Sequence, residues 1–575
     1  MTSPRSIWRI AVATGVAAAG LAMAAGPATA VPKPPKPPKA TTVPVRLVAI
    51  NDFHGNLEPP SGSGGRIVDE TGATVDAGGA AYLATHLKSL VNKNTVVVAA
   101  GDLIGATPLI SAAYHDEPTI EVLGKLGLDV SAVGNHEFDE GIKELQRIQK
   151  GGCHPVDGCS PAGRYKGADF TYLAANVLRD GVIDRWALPP ITIKKVNGVP
   201  VGFIGLVTQT TPSIVTASGI AGLKFADEVE AGNRAAKLLK AAGVKAMVAL
   251  VHEGDQVTPD ASPDACPIMP SAGSRIAQGL SPDIDLVIMG HSHQAYICRT
   301  QDPAGQERVF TQGSSFGRVL TTIDFQVDRR TKEIVRSSVV ADNHVVTRTV
   351  PADPKISALV QTWKDRSAEV ANRQVGTITA DITREAPSPT GETPLGDLIA
   401  DAQLAATKEG GNAEIALMNP GGVRADLTYA QSGSEGDGVV TYGEAFTVQP
   451  FNNLLQVVTL TGAQLDALLE QQWQNDGAVV RILQPSSSLT YTMDLTRPIG
   501  DRVSDIKING TPITETGTYR VAANNFLIGG GDGFTVFTQG TDLWSGPLDI
   551  DALVDYFAAH PQLSPPTPNR ITLAS

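Results

Sequence analysis

Histidines and carboxylates recur at short, regular spacings in the first half of this 575-residue sequence. They stand in five short segments, each of which follows an apolar run. The segments are NDFHGN at 51–56, GD at 101–102, GNHEFD at 134–139, VHEGD at 251–255 and GHSH at 290–293. Imidazole and carboxylate ligands together favour zinc, manganese or iron. A pair of such ions activates water for attack on a phosphate ester, so the residue types predict metal-dependent hydrolysis.

The apolar runs before these segments must bring the polar residues together. RLVAI, TVVVAA, SAV, VALV and LVIM predict buried strands, and AAYLATHLKSLVN and EVEAGNRAAKLLKAAG predict helices between them. Strands that alternate with helices indicate a layered α/β domain. Because binding sites in such domains form at the carboxyl ends of the strands, we expect the five segments to converge. A single His or GD is usually an ordinary polar residue or a turn, but the ordered set is specific.

A change of pattern separates this region from the rest of the chain. RVFTQGSS, RVLTTIDFQV and EIVRSSVV, near 310–340, predict strands in hairpins that close the first domain. A helical stretch over about 354–373 predicts a connector. A second domain then follows, with predicted helices at LGDLIADAQLAATKE and TGAQLDALLEQQW and predicted strands at EIALMNP and YRVAANN.

The second domain carries polar and aromatic residues in Gly-rich loops. These are NPGGVR at 419–424, QPFNN at 449–453, and NF at 525–526 followed by GGGDG at 529–533. Two loop aromatics, Phe451 and Phe526, are able to stack on a nucleotide base. Arg424 is able to fork onto phosphate and Asp532 to accept from ribose hydroxyls. Composition alone leaves the alternative open that these are core Phe residues, turns and a solvated Arg.

Composition and charge bound the class of protein. The formal net charge is −13 and 42% of residues are hydrophobic. This indicates a globular protein and disfavours a nucleic-acid polymer as partner, since polyphosphate backbones require a basic surface. Nothing in the sequence indicates an obligate protein partner.

The N-terminus predicts export. Residues 1–30 combine two Arg residues, an apolar run and the small-residue site ATA, which is typical of a cleavable signal peptide. Residues 31–43 are a Pro- and Lys-rich linker. No later segment is apolar for long enough to span a membrane. The even cysteine count predicts two disulfides, and spacing favours Cys153–Cys159 and Cys266–Cys298 over a cysteine-based metal site.

The series DxH, GD, GNHE, a later His and GHxH resembles the calcineurin-like metallophosphoesterase signature. With QPFxN, NxGGxR and NFxxxGGDG, the chain is similar to the bacterial secreted 5′-nucleotidase and UDP-sugar hydrolase family over about residues 45–573. The resemblance implies a four-layer α/β/β/α sandwich and a second α+β nucleotide-binding domain. It implies domain bounds of 44–345, 346–373 for a connector helix, and 374–575.

The resemblance also implies roles for individual residues. It implies two divalent ions, with Zn²⁺, Mn²⁺ or Co²⁺ favoured. The metal ligands would be Asp52, His54, Asp102, Asn135, His252, His291 and His293, with Asp102 bridging the two ions. His136, oriented by Asp139, would stabilise the transition state or donate a proton. The contacts to a nucleotide substrate would be Asn419, Arg424, Phe451, Asn453, Phe526, Asp532 and Arg384.

Three departures from the family pattern are visible. His293 stands where the periplasmic UDP-sugar hydrolase has Gln, NPGGVR stands where NGGGxR is frequent, and PSPTG follows Arg384. We expect hydrolysis chiefly of 5′-mononucleotides. The rival substrates are UDP-sugars, dinucleotides and 2′,3′-cyclic nucleotides. A further alternative is a non-catalytic binding protein on a degenerate phosphatase scaffold. The complete set of metal ligands argues against it.

Overall fold

The computed structural model describes residues 41–574 apart from 61, 216, 259–261, 475, 476 and 478, and only the backbone of 62, 63, 217 and 218. The predicted signal peptide, 1–30, and the predicted linker up to residue 40 lie outside the described residues. The residues from Thr41 onward form one compact unit.

Two six-stranded sheets organise the first half of this unit. Its strands are β1 Thr42–Ile50, β2 Arg66–Val68, β3 Thr74–Asp76, β4 Thr95–Ala99, β5 Val130–Ala132, β6 Thr171–Leu173, β7 Val177–Arg179, β8 Ile191–Val196, β9 Val199–Val207, β10 Leu223–Phe225, β11 Ala246–His252, β12 Gln256–Val257, β13 Ile268–Met269, β14 Leu286–Met289, β15 Ala295–Gln301, β16 Glu307–Gly313, β17 Val319–Asp328 and β18 Ile334–Val345. Its helices are α1 Ala80–Leu90, α2 Leu109–Ala112, α3 Glu117–Leu126, α4 Gly141–Lys150, α5 Glu228–Ala241, α6 Ala272–Gly279 and α7 Pro354–Ala371.

The strand order explains how distant segments meet. The first sheet runs β18-β17-β1-β4-β5-β6 and the second β15-β16-β14-β11-β9-β8. β1, β4, β5 and β6 are parallel, as are β9, β11, β14 and β16. Of the strands predicted near 310–340, β17 and β18 form a hairpin in the first sheet, whereas β16 pairs with β14 and β15 in the second.

The two sheets pack face to face, with helices on both outer sides. In β1, Leu47 belongs to the core between the sheets, together with Phe203 of the second sheet. Its neighbours Val48 and Ile50 belong to the core under the helices α1, α3 and α7. This alternation follows from the two-residue period of a strand, which sends successive side chains to opposite faces. The predicted α/β/β/α layering is confirmed.

The helix α7 leads from the first half to the second. It begins after Asp353, whose side chain accepts hydrogen bonds from the backbone N–H groups of Lys355 and Ile356. Pro354 occupies the first helical position, where a missing N–H costs nothing. Trp363 is buried in the first core and donates to Glu121 in α3 over 3.0 Å. The helix therefore packs mainly on the first half.

The second half is a mixed α+β structure. Its helices are α8 Pro394–Gly411, α9 Tyr442–Val448, α10 Gly462–Glu470, α11 Asn525–Ile528 and α12 Asp549–Ala559. Its strands are β19 Gln374–Thr377, β20 Ile415–Met418, β21 Val439–Thr441, β22 Leu454–Thr461, β23 Trp473–Gln474, β24 Val479–Val480, β25 Gln484–Pro485, β26 Leu489–Met493, β27 Val503–Ile508, β28 Thr511–Pro512, β29 Thr518–Asn524, β30 Thr541–Leu548 and β31 Ile571–Leu573. The larger sheet has the order β25-β20-β29-β22-β30 and the smaller β28-β27-β26-β31.

Both predicted disulfides are present. Cys153 pairs with Cys159 and Cys266 with Cys298, which uses all four cysteines of the sequence. Within the described ranges, each helix is too short or too polar to cross a membrane.

A buried arginine joins strand β16 of the second sheet to the end of helix α6. Arg308 in β16 is fully buried and donates to four backbone carbonyls around the end of α6. The acceptors are Ala277, Leu280, Ser281 and Ile284, at 2.6–3.0 Å. The carbonyls of Ser281 and Ile284 also accept from the backbone N–H of Ile284 and from Arg336, respectively, whereas those of Ala277 and Leu280, at the end of the helix, lack helical partners.

We expect Arg308→Leu to lower the free energy of unfolding of the first half by about 3 kcal/mol, because it leaves the buried carbonyls of Ala277 and Leu280 without a donor. Arg299→Leu is the matched control. Arg299 lies on the neighbouring strand, but its ion pair with Glu307 is exposed, and such pairs contribute about 0–1 kcal/mol. Thermal unfolding followed by far-UV circular dichroism compares the two, and equal shifts in Tm would contradict this role for Arg308.

Candidate functional site

The candidate ligands lie where parallel strands end. Asp52 and His54 follow β1, Asp102 follows β4, and Asn135 follows β5 in the first sheet; His252 ends β11, and His291 and His293 follow β14 in the second. The structure brings all seven together across the top of the two sheets, as the sequence predicted. The donor atoms of six of them form two groups of three, each compact enough to hold one metal ion, and Asn135 lies beside the second group.

The first group is Asp52, His54 and His293. The Nε2 atoms of His54 and His293 are 3.3 Å apart, and His293 Nε2 is 3.4 Å from Asp52 Oδ1. Two nitrogens and a carboxylate oxygen at these separations match the edges of a coordination shell for a transition ion, since ligands about 2.0–2.1 Å from zinc lie about 3.3 Å from each other.

The second group is Asp102, His252 and His291, with Asn135 beside it. His252 Nε2 lies 3.0 Å from Asp102 Oδ2 and 3.1 Å from the side-chain oxygen of Asn135. The rings of His252 and His291 are 5.1 Å apart.

Asp102 connects the two groups. Its Oδ2 atom lies 3.0 Å from His252 Nε2 and 3.5 Å from His54 Nε2. Burial opposes the charge of this carboxylate, but the neighbouring imidazoles of His252 and His136 hold its pKa well below the usual range. Asp102 therefore stays an anion, which is the state required of a bridging ligand.

Two of the imidazoles are oriented by backbone carbonyls. His54 Nδ1 lies 2.8 Å from the carbonyl oxygen of Gly105, and His252 Nδ1 lies 2.8 Å from that of Ala100. A carbonyl only accepts, so Nδ1 carries the proton and donates. Each Nε2 is then the nitrogen that faces the shared site and is offered to a metal ion, which is the usual arrangement of a metal-binding histidine.

The backbone at the site is held in an unusual conformation. Asp52, His54, Asp102, His291 and His293 all have positive φ, between 44° and 71°. L-residues other than Gly adopt this region rarely and at an energetic cost, and such residues cluster at functional sites. Gly134 permits the close approach of the loops, because an added Cβ would lie 2.1 Å from Asp102 Oδ1.

Glu137, the last residue of GNHE, holds the strand-end loops together, and the sequence analysis assigned it no role. Its buried carboxylate accepts from the backbone N–H groups of Asp102 at 2.9 Å and Leu103 at 2.8 Å, and from that of Gly134. Burial and the charge of Asp102 raise the pKa of Glu137 to about 7. Only its position inside the GNHE motif pointed to Glu137 in the sequence, because a side chain that accepts from backbone N–H groups produces no periodic pattern.

His136 lies next to the two groups without joining either. Its Nδ1 is 2.9 Å from Asp139 Oδ2, as the sequence predicted, and its ring is 5.1 Å from that of His54. Burial alone would lower the pKa of His136, but the charges of Asp139 and Asp102 outweigh burial and raise it. The imidazole is therefore biased towards carrying a proton.

The second half contributes side chains to the same place. The ring of Phe451 lies nearly parallel to that of His136, with centroids 5.7 Å apart, and the Arg424 guanidinium is 5.8 Å from the Phe451 centroid. A cleft of about 500 Å³ opens beside His293 and is lined by Arg424, Arg384 and Arg318 among others. Arg318 belongs to the first half and was not among the predicted residues. Three cationic side chains thus line the approach to the candidate metal site.

Asn419 and Asp532 meet in the second half. Asn419 donates to Asp532 Oδ2 over 2.8 Å and accepts from Asn524 over 3.0 Å, while Arg481 lies 3.4 Å from Asp532 Oδ1. Asn524 and Arg481 lie outside the Gly-rich loops, so no motif in the sequence indicated them.

The other predicted substrate residues have partners within the second half. Phe526 packs partly on the core and lies over Gly531, which has no side chain to obstruct the ring. Asn453 donates to Asp549 over 3.2 Å. Their assignment to substrate stays a prediction.

The chain matches two protein families, one in each half. Residues 45–295 match the calcineurin-like phosphoesterase family and residues 374–539 match the 5′-nucleotidase C-terminal domain family. A cell wall protein of Listeria monocytogenes is 34% identical over 90% of this chain, which spans 67% of that protein. An endonuclease of Bacillus subtilis is 32% identical over 89% of this chain, which spans 39% of that protein.

The architecture of the described residues is shared with a solved structure. A 5′-nucleotidase precursor from Thermus thermophilus superimposes with a TM-score of 0.74 and 26% identity, covering 93% of this chain and 100% of that one. The chain belongs to the family of metal-dependent phosphoric ester hydrolases in which a calcineurin-like phosphoesterase domain is followed by a 5′-nucleotidase C-terminal domain.

Proposed function

We propose that this chain is an exported enzyme that hydrolyses 5′-mononucleotides to nucleoside and phosphate with two divalent metal ions. The single observation that carries the proposal is the position of Asp102. Its Oδ2 atom lies within 3.5 Å of an imidazole nitrogen from each of the two groups. One anionic oxygen between imidazole nitrogens from two groups fits two cations.

The donor set fits the metals that the family uses. Asp52, His54 and His293 would hold one ion, Asn135, His252 and His291 the other, and Asp102 both. Bound there, a pair of Zn²⁺, Mn²⁺ or Co²⁺ ions supplies neutralisation of the phosphate charge and activation of water.

His136 is assigned the protonation of the leaving group. Asp139 binds its Nδ1, so the Nε2 side of the ring is left to donate towards an ester oxygen. The neighbouring carboxylates raise the pKa of the ring, and this favours the protonated form that a general acid requires.

The second half is assigned recognition of the nucleotide. Phe451 and Phe526 would stack on the base, Asn419 and Asp532 would bind the ribose, and Arg424 would bind the phosphate. Arg424 supports this division, because it approaches both Phe451 and the candidate metal site. Arg384, on the same cleft, would add a second cation for the phosphate, and Asn453 is assigned a supporting contact.

Export is supported by three observations. The N-terminal sequence is typical of a cleavable signal peptide. Both disulfides form, as is usual in oxidising compartments. Related sequences include a cell wall protein and a snake venom 5′-nucleotidase.

A substrate panel tests the proposed activity. We expect phosphate release from AMP, with kcat/KM at least about tenfold above that for UDP-glucose, 2′,3′-cyclic AMP and single-stranded RNA. EDTA should abolish turnover and Mn²⁺, Co²⁺ or Zn²⁺ should restore it, since charge neutralisation depends on the ions. Preference for UDP-glucose or the cyclic nucleotide would replace the substrate assignment. Full turnover after complete metal removal would overturn the mechanism.

Two variants separate chemistry from binding. We expect His136→Ala to lower kcat for AMP by about 10²–10⁴-fold with both ions still bound, because it removes a proton donor. Phe451→Ala should mainly raise KM for AMP, since stacking contributes about 1–3 kcal/mol per base. Turnover of p-nitrophenyl phosphate, which lacks a base, is the comparison for each variant. An equal loss for both substrates in Phe451→Ala would contradict the stacking assignment.

Glu137→Gln tests the support beneath the metal ligands. The amide has one acceptor oxygen where the carboxylate has two, so one backbone N–H group would face an NH₂ group. We expect the affinity for Mn²⁺ to fall about 10–100-fold, as for other losses of support behind a ligand. Glu230→Gln is the control, since the Glu230 side chain is exposed and its ion pair with Arg234 along α5 is a long one. Equal Mn²⁺ affinity in the two variants, measured by isothermal titration, would exclude this role for Glu137.

A further inference from the structure

A second cluster of metal-ligating side chains lies outside the cleft, beside the Cys153–Cys159 disulfide. His115 lies between α2 and α3, while His154 and Asp157 belong to the loop that the disulfide closes. One donor atom from each of the three residues lies within 4.8 Å of the others. We propose that His115, His154 and Asp157 form a zinc site distinct from the one in the cleft.

Two separations among the donor atoms are close to those around a single ion. Asp157 Oδ2 lies 2.9 Å from His115 Nε2 and 3.2 Å from His154 Nδ1. Donors about 2.0–2.1 Å from a tetrahedral zinc ion lie about 3.3 Å from each other. Two imidazoles and one carboxylate are ordinary zinc ligands, and water completes the fourth position.

The protonation state of His154 suits a ligand. The backbone N–H of Asp157 donates to His154 Nδ1 over 3.1 Å, so this nitrogen carries a lone pair. The rings of His115 and His154 are stacked, with centroids 3.7 Å apart. Zinc lies in the plane of an imidazole that binds it, so the His154 ring has to turn about its Cβ–Cγ bond. The backbone N–H of Asp157, which this turn releases from His154, lies on an exposed loop and is able to donate to water instead.

Glu140 supports His115 from behind. Its Oε2 atom lies 2.8 Å from His115 Nδ1. A carboxylate that accepts from one nitrogen of a histidine, while the other nitrogen binds the metal, is the common arrangement behind zinc ligands. The hydrogen bond to Glu140, with the charge of that carboxylate and a further bond to Asp157, raises the pKa of His115 to about 9. The carboxylates around His115 thus favour a positive charge at this position. A proton on His115 Nε2 therefore competes with zinc for that nitrogen.

The cluster is connected to the candidate active site through the chain itself. Glu140 follows Asp139, which binds His136. Asp116 follows His115 and accepts from the backbone N–H of Gly105 over 3.1 Å. The carbonyl of Gly105 in turn binds His54. A zinc ion here would fasten the disulfide loop to the turn and helix start that orient His54 and His136, which is a structural role.

Zinc content tests the site. The full-length protein and its variants are equilibrated at a fixed free Zn²⁺ concentration, ultrafiltered and analysed by mass spectrometry of the metal. We expect Asp157→Asn and His154→Asn each to hold one zinc fewer per chain than the parent. His560→Asn, an exposed histidine elsewhere on the surface, should match the parent. Glu140→Gln should keep all three ligands and bind the same ion about 10–100-fold more weakly.

Every result bears on the proposal. Equal zinc content in the parent and both ligand variants would overturn it and leave His115 as a protonated partner of two carboxylates. Loss in His154→Asn but not in Asp157→Asn would overturn the three-ligand assignment. The Asp157 side chain is 64% exposed, so its variant should fold, and circular dichroism checks this. The count requires no hydrolysis, so it stands apart from any failure of the proposed activity.

Discussion

The structure depends on holding one buried carboxylate between imidazoles that come from both sheets. Asp102 lies within 3.5 Å of nitrogens on His54 and His252 and stays ionised in spite of its burial. An isolated buried anion is unfavourable, so it has to be compensated by cations and hydrogen bonds. The sheet order, the left-handed backbone at the strand ends and the hydrogen bonds that Glu137 accepts all hold these donors in place around it.

The two halves of the chain meet at this point and contribute different chemistry. The first half supplies anionic and imidazole donors from strand ends that its sheets hold rigidly. The second half supplies an aromatic ring and a guanidinium, Phe451 and Arg424, from loops. Because Phe451 packs against His136, a substrate group that contacts the Phe451 ring would also lie next to the proposed proton donor. The proposed recognition and protonation of substrate would thereby take place side by side, although Phe451 and His136 are more than 300 positions apart in the sequence.

Support for the site extends beyond the residues that face the cleft. Backbone carbonyls select the tautomers of His54 and His252, and Asp116 binds the loop that carries one of these carbonyls. The disulfide loop reaches the same turn through His115 and Glu140. The disulfide loop is therefore continuous, through these hydrogen bonds, with the candidate catalytic loops.

The sequence by itself determined the class of fold and the candidate metal ligands. Strands such as LVIM are apolar throughout because both faces are buried, and each ends in a polar motif, so local pattern was sufficient to identify Asp52, Asp102 or His291. The two disulfides followed from spacing and count. The family resemblance, and no local pattern, implied the bridging position of Asp102, and tertiary structure alone showed the contacts of Glu137, Arg318 and Arg481. These contacts join residues that are distant in the chain. Neither a side chain that accepts from a backbone N–H nor a guanidinium that faces a cleft produces a periodic pattern in the sequence.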